Sequence, residues 1–364
     1  MLILNLLLTA SGFKEIKNSM AEEIQTPLLN VSTSPHIRYK ESVPSIMLSV
    51  VVALVPALAA SMWFFGIKAL YLNIVCIVSC MLTELIIVKL MLKRPSTLGD
   101  FSALVTGLLV AFNLPPDLPL WMAALGSVFA IGVGKMAFGG LGNNFINPAL
   151  AGRAFLMACY PAAMTTFSET RLGSLNGLSQ NIDAIARATP LAAFKDSIQS
   201  GNFQALDFQY ALKNLFIGNI GGCIGETSVI ALLIGAAFLL YRRIIGFSVP
   251  ISYIGTVFIL SWIFNGITTD ILTTDALIIP TYHIFAGGLM LGAFFMATDM
   301  VTCPITTKGR AVFGIGCGVL TFLIRKFGGY PEGVSYSILI MNLFTPLIDR
   351  YIRPKMYGKV KKNA

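Results

Sequence analysis

Long apolar runs separated by short polar or Gly/Pro-rich turns dominate the chain from residue 45 to residue 350. A helix needs about 20 mostly apolar residues to cross a bilayer. The runs at 45–65, 69–92, 249–266, 277–297 and 334–350 reach that length. Shorter or glycine-interrupted runs lie at 100–114, 119–138, 147–163, 227–243 and 311–326. Together they predict about ten spans, with both ends of the chain on one side. The expected fold class is an all-α polytopic membrane protein.

The two halves of this pattern resemble each other. Gly107-Leu-Leu-Val-Ala-Phe112 is echoed by Gly288-Leu-Met-Leu-Gly-Ala-Phe294, and Asn147-Pro148 leads to Gly152-Arg153-Ala154 as Cys303-Pro304 leads to Gly309-Arg310-Ala311. Five spans separate the copies, so the second is expected to be inverted in the membrane, the arrangement seen in transporter-like folds with broken helices. The expected organisation is a cytoplasmic tail (1–43), a first five-helix repeat (44–163), a loop (164–226), a second five-helix repeat (227–350) and a basic tail (351–364). The loop is far longer than the other connections and rich in Ser, Thr, Asn and Gln. Connections of that length tend to carry function.

Composition supports the membrane assignment: 55% of residues are hydrophobic and 12% charged, against about 25% charged in soluble domains. The net charge of +9 does not point to nucleic acid, because the cations sit in short clusters beside apolar runs rather than along one face. Their placement sets the orientation instead. With the N-terminus cytoplasmic, the inner loops hold Arg38, Lys40, Lys93, Arg94, Arg242, Arg243, Lys308, Arg310 and the tail from Arg350, as the positive-inside rule requires. The outer side then carries Lys68, Asp117, Asp270 to Asp275 and the 164–226 loop, with Arg325 and Lys326 as the exception. The expected location is a prokaryotic inner membrane. Met1 to Thr9 has part of the character of a signal peptide but no basic start, and Met20 is an alternative initiator. The six cysteines form no C-x-x-C pair and lie in or beside apolar runs. They read as small buried hydrophobes, and no metal site is expected.

Within the long loop, Thr189 precedes Pro190, and Leu191, Phe194 and Ile198 follow at helical spacing. Thr189 suits an N-cap and Pro190 the first helical position, which by itself describes an ordinary capped surface helix. The same helix start offers unpaired N–H groups where a phosphate settles, and Arg187 stands two residues before the threonine.

The run Asp183…Arg187-Ala188-Thr189-Pro190-Leu191 resembles the flavinylation motif of the D subunits of Rnf electron-transport complexes and their Nqr B relatives. The resemblance extends through Ser34-Pro-His-Ile-Arg38, Gly221-Gly222 with Gly225-Glu226-Thr227-Ser228, and Ala293-Phe-Phe-Met-Ala-Thr-Asp299. It continues with Pro304, Thr307-Lys-Gly-Arg310, Phe327-Gly-Gly-Tyr-Pro-Glu-Gly333, Met341-Asn342 and Pro346-Leu-Ile-Asp-Arg350. Several motifs in order over residues 34–358 are far more specific than one signature. The resemblance implies FMN esterified through its phosphate to Thr189, with Asp183, Arg187, Ala188, Pro190 and Leu191 as the supporting motif presented to a flavin transferase. It also implies an electron-transport subunit of a redox-driven Na⁺ or H⁺ translocase acting between ferredoxin and NAD. Iron–sulfur and flavin subunits would be its partners, since the chain shows neither a dinucleotide fingerprint nor cluster-ligand spacing. A second, non-covalent flavin between the repeats stays open. Ala186-Arg187 replaces the Ser/Thr-Gly that many relatives have before the Ala-Thr. A quinone-linked Nqr B-type subunit and a flavin-free transporter or channel of the same fold are the alternatives.

Glu84, Lys135, Arg153, Glu226 and Asp299 stand within or at the ends of apolar runs, where charge is expensive. They read either as an ion path or cofactor contacts, or as helix-end residues reaching for water, which suits Lys135 and Asp299. Asn143, Asn144 and Asn147 mark a Gly-rich break between spans, a place for a cofactor or substrate site. His36 and His283 are too few to build a relay. No residue is assigned a catalytic role.

Overall fold

The computed structural model describes residues 41–167, 191, 208–266, 275–328 and 332–353. All elements among them are helices. In chain order these are α1 (Val43–Phe65), α2 (Ile67–Ile86) continuing into a π turn (Ile87–Met91), α3 (Ser102–Phe112), α4 (Leu120–Gly132), α5 (Pro148–Cys159) and α6 (Pro161–Thr165). They are followed by α7 (Phe208–Ile217), α8 (Val229–Tyr241), α9 (Ser248–Gly266), α10 (Asp275–Phe285), and α11 (Leu289–Leu291) with a π turn (Gly292–Met296). The last two are α12 (Thr307–Phe327) and α13 (Val334–Tyr351). The expected 164–226 loop lies mostly outside the described residues, as do nearly all of the N-terminal tail and most of the C-terminal one.

Four helical segments are long and apolar enough to cross a membrane: Val43–Phe65, Ile67–Met91, Leu120–Phe138 and Thr307–Phe327. A fifth candidate is the pair Leu277–Phe285 and Leu289–Met296, bent by 67°. Shorter apolar helices run over Ser102–Phe112, Pro148–Cys159, Val229–Tyr241 and Ser248–Phe264. By length and composition four or five candidate spans stand among the described residues; the expected ten also counts the shorter helices, which these criteria leave out.

Close helix packing rests on small residues, as membrane helices require. A β-carbon at Gly107 on α3 would stand 2.7 Å from the Ile77 backbone of α2, and one at Gly318 on α12 would stand 2.6 Å from Thr256 on α9. Gly126 and Gly152 bring α4 and α5 together, and Gly235 on α8 admits the Ala53 carbonyl of α1. Helix α2 packs on α3 and α4, and α9 packs on α10 and α12. Likewise α4 lies on α5, and α12 lies on α13. Across the halves α1 meets α8 and α5 meets α13. One buried apolar core runs through both halves, including Leu54, Leu72, Phe112, Leu150, Leu232, Tyr253, Leu291 and Phe313.

Candidate functional site

Two buried clusters of charge stand inside this apolar frame. The first joins Glu84 on α2 to Lys135, which follows α4, at 2.7 Å, with both side chains almost completely buried. Lys135 also donates to Ser102 Oγ at 2.6 Å, and Thr97 donates to the other Glu84 oxygen at 2.6 Å. The expectation that Lys135 reaches out to water is therefore corrected: it turns inward, because Glu84 offers an ionic partner that hydrocarbon cannot. Asp299 sits partly buried in a turn, where it accepts from Val301 N and Thr302 Oγ1. A cleft of about 100 Å³ adjoins this cluster, lined by Ser102, Lys135, Asn144, Asn147 and Asp299 among apolar residues of α1, α3 and α8. Asn147 caps α5 by accepting from Ala149 N and Leu150 N, and it donates to Met296 O. The Asn342 amide of α13 accepts from Asn147 N at 3.1 Å. Asn144 Oδ1 is buried without a hydrogen-bond partner.

The second cluster gathers three sequence motifs from distant parts of the chain. Arg153, on α5, is buried; its Nη1 donates to Asn113 Oδ1 at 2.9 Å and lies 3.5 Å from Glu226 Oε1. Its Nη2 pairs with Glu332 Oε2 and reaches Cys223 Sγ at 3.7 Å. The connection between α7 and α8 carries Glu226 inward, because Ile224 N donates to Leu114 O and Gly225 N to Phe112 O. Gly225 is required there, since a side chain would collide with Phe112. Cys223, Glu226 and Glu332 bring one sulfur and two carboxylate oxygens within 4.8 Å of one another. Arg153 supplies the cation among them. Arg325 of α12 stands beyond, buried and donating to His283 O and Ala286 O. A β-carbon at Gly287, where φ is +70°, would stand 3.4 Å from Arg325 Nη2 and 3.8 Å from Glu332 Cγ and from Leu191 Cδ2.

Electrostatics single out Glu226. It lies in the connection before α8, outside the helices, and its Oε1 has no hydrogen-bond donor among the described residues. Burial first, and Glu332 second, push its carboxyl up from the usual value to about 7, with Arg153 pulling against them. Burial also pushes the Cys223 thiol well up, which makes it a neutral neighbour.

Of the residues expected to hold a flavin, Leu191 is the one described. It is 3% exposed and packs with Leu215, Ile279, Tyr282 and Ala286. It also lines a small cavity with Ile220, Gly221, Gly222, Glu226, Thr227 and Glu332. Asp183, Arg187, Ala188, Thr189 and Pro190 lie outside the described residues. Glu332, Arg325 and Asn113 do not stand out in the sequence as site residues. Only the burial of Glu332 in the Phe327 to Gly333 motif could have flagged it, and a loop position hides that. Beside Gly222 no heavy atom stands within 4 Å of the point where a β-carbon would be.

Comparison with known proteins identifies the family. Residues 30–358 match the model of the NQR2, RnfD, RnfE family. The chain is 47% identical over 338 residues to the D subunit of the Na⁺-translocating ferredoxin:NAD⁺ oxidoreductase complex of Acetobacterium woodii, covering 92% of this chain and 98% of that one. It is 47% identical over 341 residues to the D subunit of the proton-translocating ferredoxin:NAD⁺ oxidoreductase complex of Clostridium ljungdahlii, covering 93% and 99%. The D subunit of an ion-translocating oxidoreductase complex of Escherichia coli is 37% identical over 361 residues, covering 92% and 99%. The chain belongs to the NQR2, RnfD, RnfE family.

Proposed function

We propose that this chain is the D-type membrane subunit of an Rnf-type ferredoxin:NAD⁺ oxidoreductase complex in a prokaryotic inner membrane, with FMN joined through its phosphate to Thr189. The carrying observation is Leu191, buried beside Glu226 and Glu332 in a cavity edged by glycines. Thr189 lies outside the described residues, but two residues of chain span at most about 7 Å, so a flavin joined to it would be tethered to the chain close to Leu191 in sequence. The cavity itself, about 10 Å³, is too small for a flavin ring, so a flavin on Thr189 would lie outside it, with the apolar packing of Leu191 fastening the chain beside its attachment point. Bound there, FMN would supply electron carriage. The chain's own residues would fix its attachment point and set the charge around it. Arg187 is the phosphate contact, and Asp183, Ala188 and Pro190 complete the sequence offered to a flavin transferase.

The relatives' names support the rest of this reading. Their complexes are Na⁺- or proton-translocating ferredoxin:NAD⁺ oxidoreductases, and this chain would work with iron–sulfur and flavin subunits rather than alone, since it carries no cluster-ligand spacing of its own. Counting the four shorter apolar helices, the bent pair and α13 as spans beside the four long ones gives ten. The matching pairings of α2 with α3 and α4, and of α9 with α10 and α12, support two inverted repeats. A second, non-covalent flavin between the repeats would need the cleft between α1, α3, α8 and the second π turn to widen beyond its volume of about 100 Å³.

The test is flavin fluorescence in a denaturing gel, with wild type and Thr189→Ala each co-expressed with a flavin transferase. A fluorescent wild-type band that vanishes in the variant is the expected result. A dark wild type, beside a fluorescent control protein, would return the chain to a flavin-free transporter. Arg187→Ala should reduce flavin loading; full loading would remove the phosphate-contact role.

A further inference from the structure

The Glu226 cluster is built with one carboxylate more than its central arginine can neutralise. Arg153 makes its closest contact with Glu332 and a second with Asn113, leaving Glu226 Oε1 at 3.5 Å and without a hydrogen bond. Among the described residues, the charged or titratable groups facing Glu226 are Arg153 from α5, Glu332 before α13, Cys223 in its own connection and, further off, Arg325 from α12. Arg153 is the one cation among them within 4 Å of either acid, and Arg325 donates to the His283 and Ala286 carbonyls instead. With both acids ionised, one close guanidinium therefore faces two carboxylates. A carboxylate that is buried and lacks a donor is costly unless something neutralises it. The cavity at Glu226 measures about 10 Å³, close to the smallest space that holds a single water. It is also edged by Thr227, by the glycines at 221 and 222 and by Leu191.

We propose that Glu226 is a redox-linked proton acceptor, neutralised by a proton from the aqueous phase when an electron arrives at the flavin attached two residues before Leu191. This rests on the functional reading above. The electron comes from a one-electron carrier of a partner subunit, and one proton adds to Glu226 as the negative charge arrives. When the electron passes to the next carrier, the O–H bond on Glu226 breaks and the proton returns to water. Charge thus stays balanced within a buried site. Burial and the like charge of Glu332 raise the carboxyl into the neutral range, where its protonation responds to a nearby added charge.

The experiment uses the flavin-loaded protein in its complex, comparing wild type with Glu226→Gln, Glu226→Asp and Glu332→Gln. The flavin midpoint potential is titrated across pH values on either side of neutrality, and redox-difference infrared spectra are recorded in the carboxylic acid region. The flavin's own protonation is common to all four proteins, so differences isolate the side chain. Wild type should show a steeper fall of potential with pH than Glu226→Gln, and a carboxylic acid band formed on reduction that Glu226→Gln lacks and Glu226→Asp restores at a shifted frequency. Glu332→Gln should move the steep region to lower pH, because it removes the like charge and frees Arg153 for Glu226. Equal slopes in wild type and Glu226→Gln, with the band retained, would overturn the proposal. So would a potential in wild type that follows Na⁺ concentration and ignores pH. A dark wild-type gel overturns the functional reading and this inference with it, whereas a fluorescent gel with unchanged slopes overturns the inference alone.

Discussion

Lys135 and Glu84 show what a single buried pair commits the chain to. Each is about 2% exposed or less, and their 2.7 Å contact is completed by Ser102 and Thr97. Removing one partner leaves the other charged in an apolar interior, which typically costs about 3–5 kcal/mol, whereas replacing both with matched neutral side chains is close to neutral. Lys135→Met should therefore lower the unfolding midpoint in detergent sharply, and Glu84→Gln combined with Lys135→Met should recover most of it. Equal losses in the single and double variants would deny the coupling. Glu226 gives a second residue-level expectation, with its sign set by burial. Its folded value of about 7 lies above the ordinary 4.5, so the protonated form favours the fold. That contribution is complete below pH 4.5 and is lost as pH rises through about 7. Thermal stability of the flavin-free protein should fall over that window in wild type and less steeply in Glu226→Gln. In sequence both Glu84 and Glu226 stand out as charges among apolar residues. Lys135 and Arg153 stand out in the same way, but the pairings do not, because a contact between residue 84 and residue 135 leaves no local trace.

At the scale of elements, hydrophobic runs located the long helices closely. The run at 45–65 became Val43–Phe65, that at 69–92 became Ile67–Met91, and that at 334–350 became Val334–Tyr351. The run at 277–297 is different: apolar residues continue unbroken in sequence, yet the helix bends by 67° after Phe285. Gly287, with φ at +70°, makes that bend possible, and hydropathy carries no information about φ. Bending there sets the carbonyls of His283 and Ala286 against the Arg325 guanidinium, so the break serves the polar cluster. Helix contacts hidden from periodicity are tested by adding volume. A side chain at Gly235 would collide with the Ala53 carbonyl, while at Gly255 nothing lies within 4 Å. Gly235→Ala should destabilise by about 1–3 kcal/mol through overpacking and loosen α1 from α8. Gly255→Ala should be neutral or slightly stabilising in the same unfolding assay.

Over the whole molecule, charge and contact sort the helix ends into two sets. Lys68, in the first turn of α2, pairs with Asp117, between α3 and α4, at 2.7 Å. At the opposite ends of these helices Arg242 donates to Ser49 near the start of α1, and Ile305 N donates to Asp349 near the end of α13. Lys93, Arg94, Arg242, Arg243, Lys308, Arg310 and Arg350 all belong to helix ends of the second set, which the positive-inside rule assigns to the cytoplasm. Cys159 is the one exposed cysteine among the described six, so replacing it with serine supplies a quiet background for labelling. A cysteine introduced at Asp117 should then react with a membrane-impermeant maleimide in intact cells, and one at Lys308 only in inverted vesicles. The Asp117 change breaks an exposed ion pair, which costs little. Reaction of both positions from the same side would refute ten alternating spans, and reversed labelling would place the Glu226 cluster towards the cytoplasm. The cluster shares its end of the molecule with Asp117, since Ile224 N donates to Leu114 O and Arg153 to Asn113. The same labelling therefore decides from which compartment a proton bound at Glu226 would come.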